Sequence, residues 1–362
     1  MAPKKSKIRE SWNMLRANRL AFMGLAIFLT FFIIAVLGLF LTSGTHPIFD
    51  PSMVRLQEKL RPPLSKPRVE ILTPEQIPRL GMYLFGTDDL GRDVFSRMLQ
   101  GAWVSLTVGF VAVGISVLIG IFMGGLAGYY GNAFVRSGHI VSLSLAIVAG
   151  ICLYLNLQLF FLCSITASAV AFYLYVKKTP GFYLPVMSID TLIMRIVDIM
   201  LCFPSFFLIL TVVALLPASM YNIMIVIGLT SWMGAARFVR AEFLALREQD
   251  FVMAAKALGL RDLRIIFRHM MPNAIGPVLV SATIGIASAI LTEAGLSFLG
   301  FGVPPPHATW GNILSDGKRF IFDAPWLTFI PGIAILIVVL AFNLFGEGLR
   351  DILNPRLRER SL

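Results

Sequence analysis

The chain has 362 residues, of which 57% are hydrophobic and only 14% charged, with a mean hydropathy of +0.80. A soluble domain carries about 25% charged residues, so the composition excludes an ordinary water-soluble enzyme or binding module and indicates an integral membrane protein. The net charge of +11 does not redirect this reading towards nucleic acid: no aromatic-interleaved basic patch occurs, and the basic residues cluster beside apolar runs, as positive-inside topology requires.

Taken in order, residues 1–19 carry Lys4, Lys5, Lys7, Arg9, Arg16 and Arg19 and form a cytoplasmic N-terminal segment. The apolar run 20–42 is long enough to cross a bilayer, exceeds a signal-peptide core and lacks a small-x-small cleavage site, so it is an uncleaved first span. Residues 43–100 are polar, with nearly balanced charge and Pro47, Pro51, Pro62, Pro63, Pro67, Pro74 and Pro78, and read as an ordered external loop. A membrane domain follows over 101–348, and its second span is expected at 102–126. Gly120, Gly124 and Gly128, at four-residue spacing, give one helical face smooth enough for close helix packing. Glycine kept for lipid-facing flexibility is the weaker reading, since each interior glycine costs up to ~1 kcal/mol of helix propensity.

The uncharged run 139–176, interrupted by Asn156 and Gln158, would be about 57 Å long as one straight helix, against a hydrocarbon core of about 30 Å. A hairpin over 139–155 and 158–176 fits, with Lys177 and Lys178 returning it to the basic side. The next spans are expected at 198–220, kinked by Pro204, then at 221–236, whose inner end is marked by Arg237 and Arg240. The basic stretch 247–272 precedes a span at 273–292, an external loop rich in Pro and Gly at 300–323, and a last span at about 326–345. The tail 349–362 holds Arg350, Arg356, Arg358 and Arg360. This makes about eight spans. Only with the hairpin counted as two do both termini and the basic stretch fall on one side.

Cys152, Cys163 and Cys202 lie within apolar runs, without a CxxC pair or an acid or His at ligand spacing, and read as buried small hydrophobes. The segment 86–93, GTDDLGRD, has the glycine spacing of a phosphate loop, but Arg92 and Asp93 replace its Lys and Ser/Thr, and Asp88 and Asp89 would repel phosphate. Thr87 followed by acids suits a helix start instead. No Walker A, HExxH or GxSxG motif occurs, so no catalytic, cofactor or metal site is expected. Intramembrane charge points to Glu293 and Asp198; either lines a substrate path or, lying near an interface, snorkels or caps.

The stretch 247–272 cannot enter the membrane, because Arg247, Lys256, Arg261, Arg264 and Arg268 would each cost several kcal/mol there. Residues 250–258 favour a helix with small residues Ala254, Ala255 and Ala257, Gly259 can take the left-handed cap conformation, and Asp262 can start a second short helix to His269. Pro272 then stands before the following span. Exposed small residues on such a helix–glycine–helix would let its backbone press into a partner's groove. An amphipathic helix lying on anionic lipid explains the arginines but not the alanine cluster.

At these residues the chain resembles the membrane-spanning permease subunits of ATP-binding-cassette importers, in their dipeptide, oligopeptide and nickel branch. The cytoplasmic signature E-A-A-x-x-x-G of that family corresponds to Met253, Ala254, Ala255 and Gly259, closing with His269-Met270-Met271-Pro272. Met253 departs from the glutamate, and His269 and Met271 from Ile and Leu. GTDDLGRDVFSR, GGLAGYYG, TLIMRIVDIM running into CFPSFFLIL, TEAGLSFLGFGVPPP with its TWG, and DAPWLTFIPG agree with the same family. The resemblance implies an all-α polytopic membrane protein, a six-helix permease core with an inserted transmembrane hairpin at 133–189. It implies a companion permease in a pseudo-twofold pore, two cytoplasmic ATP-binding subunits, an extracytoplasmic solute-binding protein and no cofactor of its own. The location would be the bacterial cytoplasmic membrane, both termini inside, with Met253, Ala254, Ala255, Leu258 and Gly259 as the coupling contact and Pro272 as a joint. Two other classes stay open: an ion-coupled carrier or exporter using Asp198 and Glu293, and a membrane anchor that merely tethers a partner.

Overall fold

The computed structural model describes residues 15–16, 18–44, 47–131, 133–155, 157–179 and 183–353. Lys4, Lys5, Lys7 and Arg9, the interruption at Asn156, and Arg356, Arg358 and Arg360 lie outside them. Apart from one two-stranded ribbon, the regular structure among the described residues is helical. Six helices are long and apolar enough to cross a membrane, a broken pair adds a seventh if taken as one span, and Phe160–Val176 is a shorter apolar helix. The chain is an all-α polytopic membrane protein. It divides into two compact units, residues Met1–Gly120, Phe203–Ala235 and Met271–Leu362 forming one, and Ile121–Cys202 and Ala236–Met270 the other.

The first unit starts with α1 (Arg19–Thr42), which Asn18 caps by accepting from the Ala21 N–H at 3.2 Å. The Phe28 ring of α1 packs on Phe342, 5.1 Å between centroids, in the last helix (Trp326–Leu353, here α11). Gly24 is needed there, because a β-carbon at this position would strike the backbone of Ala341 and Phe345. Helix α2 runs from Val94 to Tyr129, 36 residues, and begins eight positions before the expected span. Its cap is Asp93, which accepts from the N–H groups of Phe95 (3.3 Å) and Ser96 (3.1 Å), and not Thr87. Thr87 is committed elsewhere: its buried hydroxyl donates to the Glu58 carbonyl and accepts from the Arg61 N–H.

The rest of this unit comprises α6 (Ser205–Leu215), the first half of α7 (Met220–Arg247), α9 (Met271–Phe298) and α10 (Trp310–Gly317) with α11. Its core joins Ile223 and Ile227 of α7, Ile286 and Ile290 of α9, and Trp310, whose indole donates to the Met98 carbonyl at 3.2 Å. The span expected at 198–220 is broken into two helices, α5 (Ile189–Cys202) and α6, with Phe203 and Pro204 between them. Proline supplies no N–H and disfavours helical geometry at the residue before it, which breaks the helix rather than kinking it.

The second unit holds the end of α2, the ribbon, the hairpin helices α3 (Ser137–Tyr154) and α4 (Gln158–Val176), α5, the second half of α7 and α8 (Asp250–Ala257). The ribbon pairs β1 (Phe134–Arg136) antiparallel to β2 (Pro185–Ser188), and the Ile189 N–H donates to the Ala133 carbonyl at 2.8 Å. The segment between them therefore leaves and rejoins the chain at adjacent points. Gly124 and Gly128 of α2 face α7, where added β-carbons would strike Ala236 and Phe243; Gly120 is buried. Cys163 and Cys202 are exposed and Cys152 half-buried, contrary to the expectation of buried hydrophobes. A bilayer is as apolar as a protein core, so small apolar residues there need no protein around them.

Candidate functional site

Helix α8 is short and built from local signals. Asp250 in its first turn and Lys256 in its last complement the helix dipole. It closes with the two bonds of a Schellman motif: the Gly259 N–H donates to the Lys256 carbonyl at 2.9 Å and the Leu260 N–H to the Ala255 carbonyl at 3.2 Å. Gly259 has φ +70° and open space around it. Val252 and Ala255, three residues apart, are buried, whereas Ala254, Ala257 and Gly259 are exposed. Ala255 therefore turns inward, away from the surface on which its neighbours lie. Leu258 is 80% exposed and Met253 49%, and Phe251, Leu263 and Phe267 are exposed as well.

The following chain does not stop before Pro272. One helical turn at Asp262–Arg264 passes into a π-helix at Ile265–Met270 and then directly into α9, so Pro272 lies inside a continuous helix. An α-helical path would set the proline ring against the carbonyl four residues back. Widening the preceding turn to π geometry accommodates it.

Two tyrosines that sequence reasoning left without a task hold this loop. The Tyr129 hydroxyl donates to Asp262 Oδ1 at 2.6 Å, the Tyr130 hydroxyl to Oδ2 at 3.2 Å, and the Lys256 ammonium lies 5.3 Å from the Tyr129 ring centroid. Asp262 is thus gripped at both oxygens by the GYYG segment.

The intramembrane acids lie apart from each other in character. Glu293 is wholly buried in α9 and accepts from the hydroxyls of Ser297 (2.7 Å) and Ser105 (3.4 Å), so in this conformation it faces no open path. Asp198 is half exposed and paired with Arg237 at 2.6 Å, while Asp190 takes Arg240 in a two-pronged pair. These pairs carry α7 on to Arg247, well past the end that Arg237 and Arg240 had marked in the sequence. The open space lies elsewhere in the first unit. A cavity of about 250 Å³ has a mixed lining: Ser116, Ser231, Ser281, Ser288 and Thr292 alternate with apolar residues such as Val113, Val117, Ile227 and Ile284. Its signal was readable: Ser281, Gly285, Ser288 and Thr292 follow one another at three- and four-residue spacing, one face of a helix.

Among the described residues, one group of three carboxylates could hold a cation: Asp88, Asp89 and Asp316, within 4.8 Å of one another. Arg97 already bridges Asp88 (2.5 Å) and Asp316 (2.9 Å), and Arg92 pairs with both. The group is an ion-pair network. Burial, reinforced by Asp88, holds the Asp89 carboxyl above the usual aspartate range.

Comparison with known proteins adds a second line. The family described as binding-protein-dependent transport system inner membrane component matches residues 183–359, and the N-terminal transmembrane domain of oligopeptide transport permease C matches residues 6–63. The dipeptide transport system permease protein DppC of Alkalihalophilus pseudofirmus is 36% identical over 350 residues, covering 97% of this chain and 90% of that protein. A putative peptide transport system permease protein of Brucella suis is 34% identical, covering 93% of this chain and 88% of its own length. The oligopeptide transport system permease protein OppC of Bacillus subtilis is 31% identical, with coverage of 95% and 88%.

Proposed function

This chain belongs to the family of binding-protein-dependent transport system inner membrane components, the permease subunits of ABC importers, and from that premise we propose that it imports peptides or similar small solutes. It works as one of two permease subunits in the bacterial cytoplasmic membrane, both termini inside, with two separate ATP-binding subunits below and a solute-binding protein outside. The chain performs no covalent chemistry. The cavity bordered by Ser116, Ser231 and Ser288 is its share of the path. Hydroxyl groups suit a peptide backbone, which needs both donors and acceptors.

The observation that carries the coupling role is the exposure of Met253 and Leu258. Their basic neighbours keep the segment out of hydrocarbon, and apolar side chains left in water mark a protein interface. Met253, Ala254, Leu258 and Gly259 form the contact with an ATP-binding subunit; Ala255 seats α8 on its own chain. Closure of the ATPase pair then moves α8 as a lever held at Asp262 by Tyr129 and Tyr130. The π turn before Pro272 passes that motion into α9, shifting the population between inward-open and outward-open states.

Gly259→Val tests this. A β-branched residue at positive φ costs about 1–2 kcal/mol and places a side chain on the contact, so uptake should collapse while membrane insertion stays normal. Uptake at the native rate in that variant would sink the coupling role. An ion-coupled carrier would instead keep transporting without the ATP-binding subunits and stop when the proton gradient is collapsed.

A further inference from the structure

The hairpin of α3 and α4 plays no part in that scheme, yet its charges and shape are not random. Between residues 133 and 188 there are three basic residues, Arg136, Lys177 and Lys178, and no Asp or Glu. All three sit at the base of the hairpin, where aromatic rings gather with them. The Arg136 guanidinium lies 3.3 Å from the Tyr183 ring centroid and Lys178 5.7 Å from the same ring, while Lys177 lies 4.8 Å from that of Tyr173. Arg136 Nη1 is left without a hydrogen-bond acceptor among the described residues.

A groove of about 570 Å³ starts at this cluster. It is lined from both helices, by His139, Ser142, Leu143 and Ala146 on one and Ile165, Ser168, Ala169 and Phe172 on the other. Two contacts join it to the basic end: His139 and Phe172 both pack on Tyr175 (4.1 and 6.2 Å between centroids), and Tyr175 stacks on Tyr183 at 5.9 Å. Ser168 donates to the Ser142 carbonyl at 2.7 Å, which fixes the two helices as the groove's walls. Beyond it the hairpin presents Ile147, Leu162 and Val170 outward, the apolar surface of a segment in a bilayer.

We propose that the hairpin holds one anionic phospholipid, its phosphate at Arg136, Lys177 and Lys178 and an acyl chain in the groove between α3 and α4. Three cations with no acid among them select a net negative headgroup, and tyrosines at the same level are the side chains that favour the headgroup region. Ser142, Ala146, Ser168 and Ala169 place short side chains where the helices meet, and Leu143, Ile165 and Phe172 offer apolar surface to an acyl chain. The adjacent ends of the insert, closed by the ribbon, let it bear this site without altering the helices on either side. The site stands apart from the transport reading, since its measure is bound lipid and not uptake.

Full-length chain reconstituted in bilayers of equal phosphatidylglycerol and phosphatidylcholine, released into detergent and weighed by native mass spectrometry, provides the test. The native chain should retain one phosphatidylglycerol in preference to phosphatidylcholine by about tenfold, three interfacial cations being worth at least that much. The triple variant Arg136→Gln, Lys177→Gln, Lys178→Gln should lower that ratio to near one. Ala146→Phe, at an exposed groove position, should abolish the retained lipid with the cations intact. Arg136→Lys keeps the charge and should keep the preference. Equal retention of both lipids by the native chain, an undiminished ratio in the triple variant, or a protein subunit seated on the hairpin in place of lipid would overturn the proposal.

Discussion

Two segments outside the membrane-spanning helices differ in how they hold their charged side chains. In the loop between α1 and α2, Glu58 and Asp88 are wholly buried, and Arg97 lies 3% exposed between Asp88 and Asp316. Asp88 alone accepts from the N–H groups of Leu90 and Arg92 and from the guanidiniums of Arg92 and Arg97. Tyr83 is so enclosed that burial pushes its hydroxyl up to about 12. In the loop around α8 no acid or arginine among the described residues is buried: Leu258, Leu263 and Phe267 stand in the open, and the buried residues are apolar, Val252 and Ala255 in α8 and Ile265, Ile266 and Met270 after it. The first segment encloses charged groups within the chain and pairs Asp88 with Arg92 and Arg97, although the Ser65 and Tyr83 hydroxyls are buried there without a partner among the described residues. Both segments leave apolar side chains uncovered, Leu56 and Leu64 in the first and Leu258 and Leu263 in the second; only the first is also tied down by a buried ion-pair network.

That contrast can be broken at several points. The largest effect is expected for Asp88→Ala, which takes a buried carboxylate from Arg92 and the buried Arg97 and leaves them only the more exposed Asp316. Breaking a buried pair costs about 3–5 kcal/mol, so the thermal midpoint in detergent should fall steeply, and a loss below about 1 kcal/mol would mean the network is not self-supporting. Tyr129→Phe removes one hydroxyl from Asp262. A hydrogen bond to a charged group is worth about 1.5–3 kcal/mol, and faster proteolysis within the 258–264 segment should report it while the loop between α1 and α2 is unaffected. Leu258→Ser should change stability by no more than about 0.5 kcal/mol, as an exposed site allows, yet release the ATP-binding subunits during purification. Retention of those subunits would erase the distinction between the two loops.

The smallest effect concerns pH. Burial holds the Asp93 carboxyl above the usual range, with the Ser96 hydroxyl and backbone partly offsetting it. A carboxyl whose folded pKa is raised binds its proton more tightly when folded, so its contribution to stability grows as pH falls through that raised value and is lost as pH rises. Asp93→Asn keeps a capping side chain and removes this term. Its midpoint should match or exceed the native one at neutral pH and fall behind as the pH approaches the aspartate range.

The existence of the spans and of the hairpin was legible, because hydropathy and a thickness limit depend on nothing but the run of residues. Boundaries were less so. Thr87 and Asp93 are both good capping residues, and only the partners of Thr87, 26 and 29 positions away, decide that Asp93 caps α2. Helix α7 continues to Arg247, past Arg237 and Arg240, whose partners Asp198 and Asp190 stand on another helix and are not apparent from the local sequence. Around α8 the cap at Gly259 was visible in the local pattern, whereas the inward turn of Ala255 follows from its spacing with Val252, and the grip of Tyr129 on Asp262 spans 133 positions. Hydroxyl residues of the cavity are readable on one face of α9, whereas the intramembrane acids to which charge points, Glu293 and Asp198, do not line it.

Placing a photoreactive amino acid at Leu258 and, separately, at Leu56, an exposed leucine of the loop between α1 and α2, would compare the two segments in the assembled importer. The coupling role predicts a covalent adduct of this chain with an ATP-binding subunit from position 258 and none from position 56. An importer that still transports yet gives no such adduct from position 258 would contradict it.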